Sequence, residues 1–124
     1  MTAETTTGLL EATHIDGVTV VRFTRRTILD PAAIEAIGGR LLSLVRDEGH
    51  STLVLDFERV ESLTSGMLGK FIALHRAVEQ ANGKLVFSGV SPFLQQIFTL
   101  CNIPQAIAIH PDETSAVRAL RPPD

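Results

Sequence analysis

Two hydroxyl side chains, Thr64 and Ser65, lie in the turn Leu63-Thr64-Ser65-Gly66-Met67, between an apolar run and a helical pattern. Neither has a base, a metal ligand or a reactive thiol beside it in the sequence. That setting suits a hydroxyl modified by another protein, and it suits an enzyme's own nucleophile poorly. A phosphate on Ser65 would meet the free amides and positive dipole end of the following helix, a local preference of about 0.3–1 kcal/mol. It would also add roughly −1.5 to −2 charges at neutral pH. If the same turn docks a partner, burying that charge unpaired costs several kcal/mol. At about 1.4 kcal/mol per tenfold in affinity, a switch of roughly 100-fold or more is within reach. The competing reading is that Thr64 or Ser65 is simply an N-cap, present because helices start that way.

Other candidates carry less chemistry. Asp30 precedes the first helix and reads as an N-cap that could also orient the Ser65 turn or meet a partner. Asp56 ends an apolar strand, where a carboxylate accepts bonds from nearby loop amides. His14, His50, His75 and His110 lack the paired spacing of metal ligands, and His75 reads as a core-edge or surface residue. Gly38-Gly39 and Gly66/Gly69 form neither a GxGxxG fingerprint nor a P-loop. The residues around Ser65 do not read GxSxG, so there is no nucleophile elbow. The single cysteine, Cys101, rules out an intramolecular disulfide and any CxxC pair, and its place at the end of an apolar helix pattern predicts a buried, inert thiol.

The elements that must position the turn follow from periodicity. Two extended runs within Leu9 to Phe23 flank Asp16-Gly17, a hairpin pair. The second run is apolar on both sides and belongs inside a sheet. Asp30-Pro31 opens a helix with Ile34, Ile37, Leu41, Leu44 and Val45 in one stripe, ending at Gly49. Gly38-Gly39 weakens it by about 1 kcal/mol per glycine unless a neighbour approaches closely. Leu53 to Phe57 is a short continuous apolar strand of the kind covered on both faces. The helix after Ser65 buries Leu68, Phe71, Ile72 and Val78 and stops at Asn82-Gly83. Leu85 to Phe87 is a strand, and Ser91-Pro92 opens a short helix ending at Asn102. Ile107 to Ile109 is a last strand, and Asp112 caps a final helix with Val117 and Leu120. Strands alternating with helices in this rhythm predict an α/β domain with a mixed, largely parallel sheet of about four to five strands and about four helices.

Composition narrows the class. At 124 residues the chain makes one domain, expected over residues 8–121, with residues 1–7 and 122–124 as flexible ends. No apolar stretch approaches the roughly 18 residues needed to span a bilayer. The polar start lacks the pattern of a signal peptide, so a cytosolic location is expected. Net charge is −3, the basic residues are dispersed, and there is no Trp or Tyr to build a base-stacking platform. Another protein is a better partner than nucleic acid or a membrane.

The chain resembles the STAS domains (sulfate transporter and anti-sigma factor antagonist), and in particular the free-standing anti-sigma factor antagonists. The resemblance rests on the opening hairpin, Ile28-Leu29-Asp30, the strand Val54-Leu55-Asp56-Phe57, Val60, Leu68-Gly69, Asn82-Gly83-Lys84-Leu85 and Val90-Ser91-Pro92, in that order. Each signature is weak alone, while their order and spacing together are specific. The family's turn usually reads Asp-Ser-Ser-Gly-Leu-Gly, its first Ser being phosphorylated. Anchored on Val60 and Leu68-Gly69, that serine is Ser65, while Thr64 takes the Asp position, Gly66 the second Ser and Met67 the first Gly. The departure is similar to a subgroup reading Ser-Ser or Thr-Ser, two variable residues, then Leu-Gly-Lys, and it makes Thr64 a second candidate acceptor.

The resemblance implies a single STAS domain that binds an anti-sigma factor and so releases a sigma factor. It implies phosphorylation of Ser65 by the anti-sigma factor acting as a serine kinase, and reversal by a metal-dependent phosphatase of the PP2C type. The implied docking surface is Asp30, Leu63, Thr64, Ser65, Gly66 and Met67. The chain is expected to be no enzyme and to need no cofactor or metal. Two alternatives stand beside this: a phosphorylation-independent STAS scaffold or transport-complex subunit, and a small α/β enzyme using Ser65 or Asp56. The enzyme would require a deep pocket with strongly shifted titrating groups.

Overall fold

The computed structural model describes residues 3–6 and 8–121. Strands β1 (Ala3–Thr6), β2 (Leu10–Ile15) and β3 (Val18–Phe23) form an antiparallel meander. Asp16 (φ 53°) and Gly17 (φ 81°) both take positive φ, the geometry of a two-residue hairpin turn whose twist matches its strands. Next come β4 (Thr27–Ile28), α1 (Pro31–Arg46), β5 (Thr52–Asp56), β6 (Ser62–Leu63), α2 (Ser65–Gln80) and β7 (Lys84–Ser88). The chain closes with α3 (Pro92–Leu100), the one-turn α4 (Ile103–Ala106), β8 (Ala108–His110) and α5 (Glu113–Leu120).

The main sheet runs β1-β2-β3-β5-β7-β8, and its pairings from β3 onward are parallel. This is the mixed, largely parallel sheet that the alternation predicts. It gains a sixth strand from β1 and a fifth helix from α4. The backbone of Ala3–Thr6 pairs with β2. Residues 1, 2, 7 and 122–124 of the expected flexible ends lie outside the described residues.

The two faces of the sheet are covered unequally. On one face, α1, α2 and α3 bury a continuous core with Leu41, Leu44, Leu53, Leu55, Leu74 and Leu94. At its centre Phe23, Phe57, Phe71, Phe87 and Phe98 pack ring against ring, with centroids 4.8 Å apart for Phe57–Phe87 and 5.4 Å for the edge-on pair Phe57–Phe71. The other face carries Val18, Val20, Val54 and Val86, and among the described elements α5 covers it, through Ala116 and Val117.

Two glycines mark close approaches. A Cβ on Gly83 would fall 1.9 Å from the Ser51 carbonyl oxygen, the same oxygen that accepts from the Lys84 amide at 2.8 Å. A Cβ on Gly38 would meet the Lys70 stem at 2.7 Å, so one glycine of the Gly38-Gly39 pair lets α2 approach α1, while Gly39 faces open space.

Two burial expectations are corrected. Ile72 is 41% exposed, at the mouth of a cleft it lines with His75 and with Ile103 and Ala106 of α4. Cys101 is exposed instead of buried, since α3 ends at Leu100 and Asn102 turns left-handed (φ 60°), swinging the chain outward before Ile103 re-enters the core.

Candidate functional site

The site begins with a small ribbon. Strands β4 and β6, two residues each, pair in parallel with Thr27 opposite Ser62 and Ile28 opposite Leu63. Two residues beyond Ile28 stands Asp30, and two beyond Leu63 stands Ser65, so the starts of α1 and α2 occupy matching positions on one edge. Asp30 caps α1, accepting from the amides of Ala32 at 3.4 Å and Ala33 at 3.3 Å. Lys70 of α2 reaches Glu35 of α1 at 2.9 Å and ties the helices together one turn further on.

At the start of α2 the side chains leave the amides open. Thr64 is the N-cap residue in an extended conformation (φ −94°, ψ 166°), and its hydroxyl makes no capping bond. Asp30, Ser91 and Asp112 all make such bonds at their own helices. Ser65 is the first residue inside the helix and is exposed, as is Gly66. Thr64 and Leu63 are half-buried. A Cβ on Gly66 would make only ordinary contacts, with Thr64 Oγ1 at 3.5 Å and Ile34 Cδ1 at 3.8 Å. Beside Asp30, Leu29 is 52% exposed. Met67 is different: it is fully buried, because as the third residue of α2 it lies on the same stripe as Phe71 and Leu74. It supports the turn from beneath.

Asp56 occupies another place. It ends β5 facing the α5 side of the sheet, whereas α2 packs on the opposite side. The Ser88 hydroxyl donates to Asp56 Oδ1 at 3.2 Å and the Glu58 amide donates at 3.3 Å, the loop-amide role expected from sequence. What sequence reasoning missed is its third neighbour. Asp56 lines one cavity with Glu113 of α5, whose carboxylate is gripped by Arg22 of β3. Burial pushes the Asp56 carboxyl up from 3.8 to about 7, with the neighbouring Glu113 adding to the rise and the Ser88 and Glu58 bonds opposing it. Burial also pushes Glu113 up, but the bonds from Arg22, with Asp56 adding to the fall, outweigh it and hold that carboxyl below its usual range. A cavity of about 530 Å³ opens beside this pair, lined in part by Glu58, Gly89, Pro111 and Asp112. Ser65 is not among its lining residues, so Ser65 and Asp56 do not form one reactive constellation.

The histidines fall apart as sites. His14 and His50 stack with centroids 4.6 Å apart, each placing Nδ1 3.2 Å from Thr19 Oγ1. His75, half-buried on α2, pairs with Glu79 at 2.9 Å. Among the described residues, no three His, Cys, Asp or Glu side chains converge as metal ligands. No described helix is long and apolar enough to cross a membrane.

The STAS domain model matches residues 10–116, and the chain belongs to the STAS domain family. Among solved structures, it is similar to an anti-sigma factor antagonist from Mycobacterium paratuberculosis, at 22% identity and a TM-score of 0.79, covering 91% of this chain and 93% of that one. It is also similar to the Bacillus cell fate determinant SpoIIAA in its phosphorylated form, at 18% identity and a TM-score of 0.71, covering 90% and 99%. A third likeness is to the murine anion transporter Slc26a9, at 15% identity and a TM-score of 0.69, covering 87% of this chain but 18% of the transporter. Identities this low establish a shared fold.

Proposed function

We propose that this chain is an anti-sigma factor antagonist, switched by phosphorylation of Ser65. The observation that carries the reading is the exposed Ser65 hydroxyl at the first position of α2, where no side chain caps the free amides. A kinase can reach that oxygen, and the helix start tolerates the phosphate it would leave. The unmodified surface offered to an anti-sigma factor comprises Leu29, Asp30, Leu63, Thr64, Ser65 and Gly66, with Met67 as its buried support. Added negative charge at its centre opposes docking. A PP2C-type phosphatase restores the binding form. In this reading the chain is a cytosolic substrate and binding module, with no reaction, cofactor or membrane partner of its own. Thr64 is the less accessible of the two hydroxyls, being half-buried.

The deciding experiment incubates the protein with candidate anti-sigma kinases and ATP, followed by residue-level mass spectrometry. Phosphate on Ser65, lost in Ser65→Ala, is expected. Failure to label the intact wild type, while other antagonists are labelled by the same kinases, turns the assignment toward a phosphorylation-independent STAS subunit. The likeness to part of an anion transporter is the observation behind that second reading.

A further inference from the structure

We propose that the groove between α5 and the tip of the β2–β3 hairpin binds a small free anion, a phosphate or carboxylate head on a short apolar body, with Arg118 and Arg121 holding its charge. The groove lies on the face of the sheet opposite α2, so the assignment does not rest on the reading of Ser65.

Thr114, Val117, Arg118 and Arg121 recur at the spacing of one helix face. The Arg121 amide donates to the Val117 carbonyl at 2.8 Å and carries that face past the last residue of α5. Opposite stand Ile15, at the end of β2, and Asp16, whose positive φ turns the hairpin. Together with Glu113 these residues line a cavity of about 230 Å³. Its floor is apolar: Val117 is buried, and Ile15 packs half-buried against the same valine cluster. Pockets for drug-sized ligands run from about 300 to 1,000 Å³, so the occupant is small.

The groove is short of negative charge. Among the described residues, neither Arg118 nor Arg121 forms an ion pair or a hydrogen bond through its guanidinium. Arg118 reaches Asp112 only as a nearby charge, lowering a carboxyl that the Ser115 amide and hydroxyl already lower more. Glu113 is claimed by Arg22 through two hydrogen bonds. That leaves two guanidinium groups against the single carboxylate of Asp16. Side chains three residues apart on a helix face have Cβ atoms roughly 5–6 Å apart, and like charges so placed repel. An oxyanion between them replaces the repulsion with paired N–H···O bonds, which the guanidinium fork fits well. Arg118 also suits the negative end of the α5 dipole, but the dipole explains neither the second arginine nor the apolar floor beside them.

Amide NMR titration of the full chain with phenyl phosphate tests this, with inorganic phosphate and neutral benzyl alcohol as companion probes. Phenyl phosphate is expected to shift the amides of Ile15, Asp16 and residues 113–121 saturably, with a dissociation constant of about 1 mM or below. Inorganic phosphate should move the same amides at several-fold higher concentration, and benzyl alcohol should leave them in place. Arg118→Gln and Arg121→Gln should each weaken binding about tenfold, the loss of a hydrogen bond to a charged group. Asp16→Asn should strengthen it several-fold, because asparagine keeps the left-handed turn and removes the opposing charge. All three positions are exposed, and unchanged core amide shifts identify the folded variants. Absence of saturation with phenyl phosphate overturns the proposal. So does an unchanged affinity in the double variant Arg118→Gln with Arg121→Gln, or benzyl alcohol binding as tightly as phenyl phosphate. Equal affinity for inorganic and phenyl phosphate overturns the apolar half of the assignment.

Discussion

Arg22 and Glu113, 91 positions apart in sequence, meet through two parallel hydrogen bonds that fasten the last helix to an inner strand. The paired geometry fits a planar guanidinium to a carboxylate, and partial burial adds to its weight. Removing one member leaves the other partly buried and unpaired. Glu113→Ala is expected to cost about 1.5–3 kcal/mol, the range for hydrogen bonds to charged groups. The double variant Arg22→Met with Glu113→Leu should recover part of that loss, as apolar replacements of buried pairs often do. Urea denaturation of the three proteins measures both.

At Ser65 the prediction concerns binding more than folding. Ser65→Ala should keep wild-type affinity for the anti-sigma factor, and Ser65→Asp should bind roughly 100-fold more weakly, a difference of about 2.8 kcal/mol. Both should melt within a few degrees of the wild type, because the residue is exposed and an acidic side chain suits a helix start. Calorimetric titration and thermal melting separate the two effects. Equal affinities would count against a charge switch at this residue.

Gly83 is expected to tolerate no side chain. The overlap in Gly83→Ala falls on the Ser51 carbonyl, a backbone atom that also accepts from Lys84, so relief requires parting β5 from the start of β7. The cost should reach about 1–3 kcal/mol or more. Chemical denaturation gives the value, with Gly39→Ala as the contrasting control, since Gly39 faces open space and helix propensity favours alanine there.

The stacked pair His14–His50 predicts a pH effect on stability. Thr19, 3% exposed, sets one hydroxyl between the two imidazole Nδ1 atoms, where it can accept from both rings or donate to one of them. Burial lowers the His50 pKa, His14 and Arg40 lower it further, and Glu48 opposes them. A histidine lowered on folding gives its full stability above the ordinary value of 6.5 and loses it as pH falls through that value. The stability difference between wild type and His50→Asn should therefore narrow from pH 7.5 to 5.5. Denaturation at several pH values reads it, and subtracting the variant removes the contribution of Asp56.

Local chemistry was legible in the sequence and long-range company was not. Asp30, Ser91 and Asp112 cap the helices they precede, and Asn82 ends α2 with φ 56°, because each acts within a few residues of itself. The start of α2 was readable for the same reason. Met67 was not, since its burial depends on the helix beginning at Ser65 and turning that side chain toward Phe71. Ile72 and Cys101 fit an apolar helical pattern, and their exposure depends on how the segment around Asn102 packs beside α2, which no local spacing encodes. Arg22, Asp56 and Glu113 come from three distant segments, and no spacing rule connects an arginine on a strand to a glutamate in the first turn of the last helix.

The β4–β6 ribbon pairs only with itself and stands outside the main sheet, yet it carries the first turns of two helices. It works as a yoke. The Thr27–Ser62 and Ile28–Leu63 pairs, with the Glu35–Lys70 tie, hold the two helix starts at a fixed spacing, so that Asp30 and Ser65 present themselves as one unit.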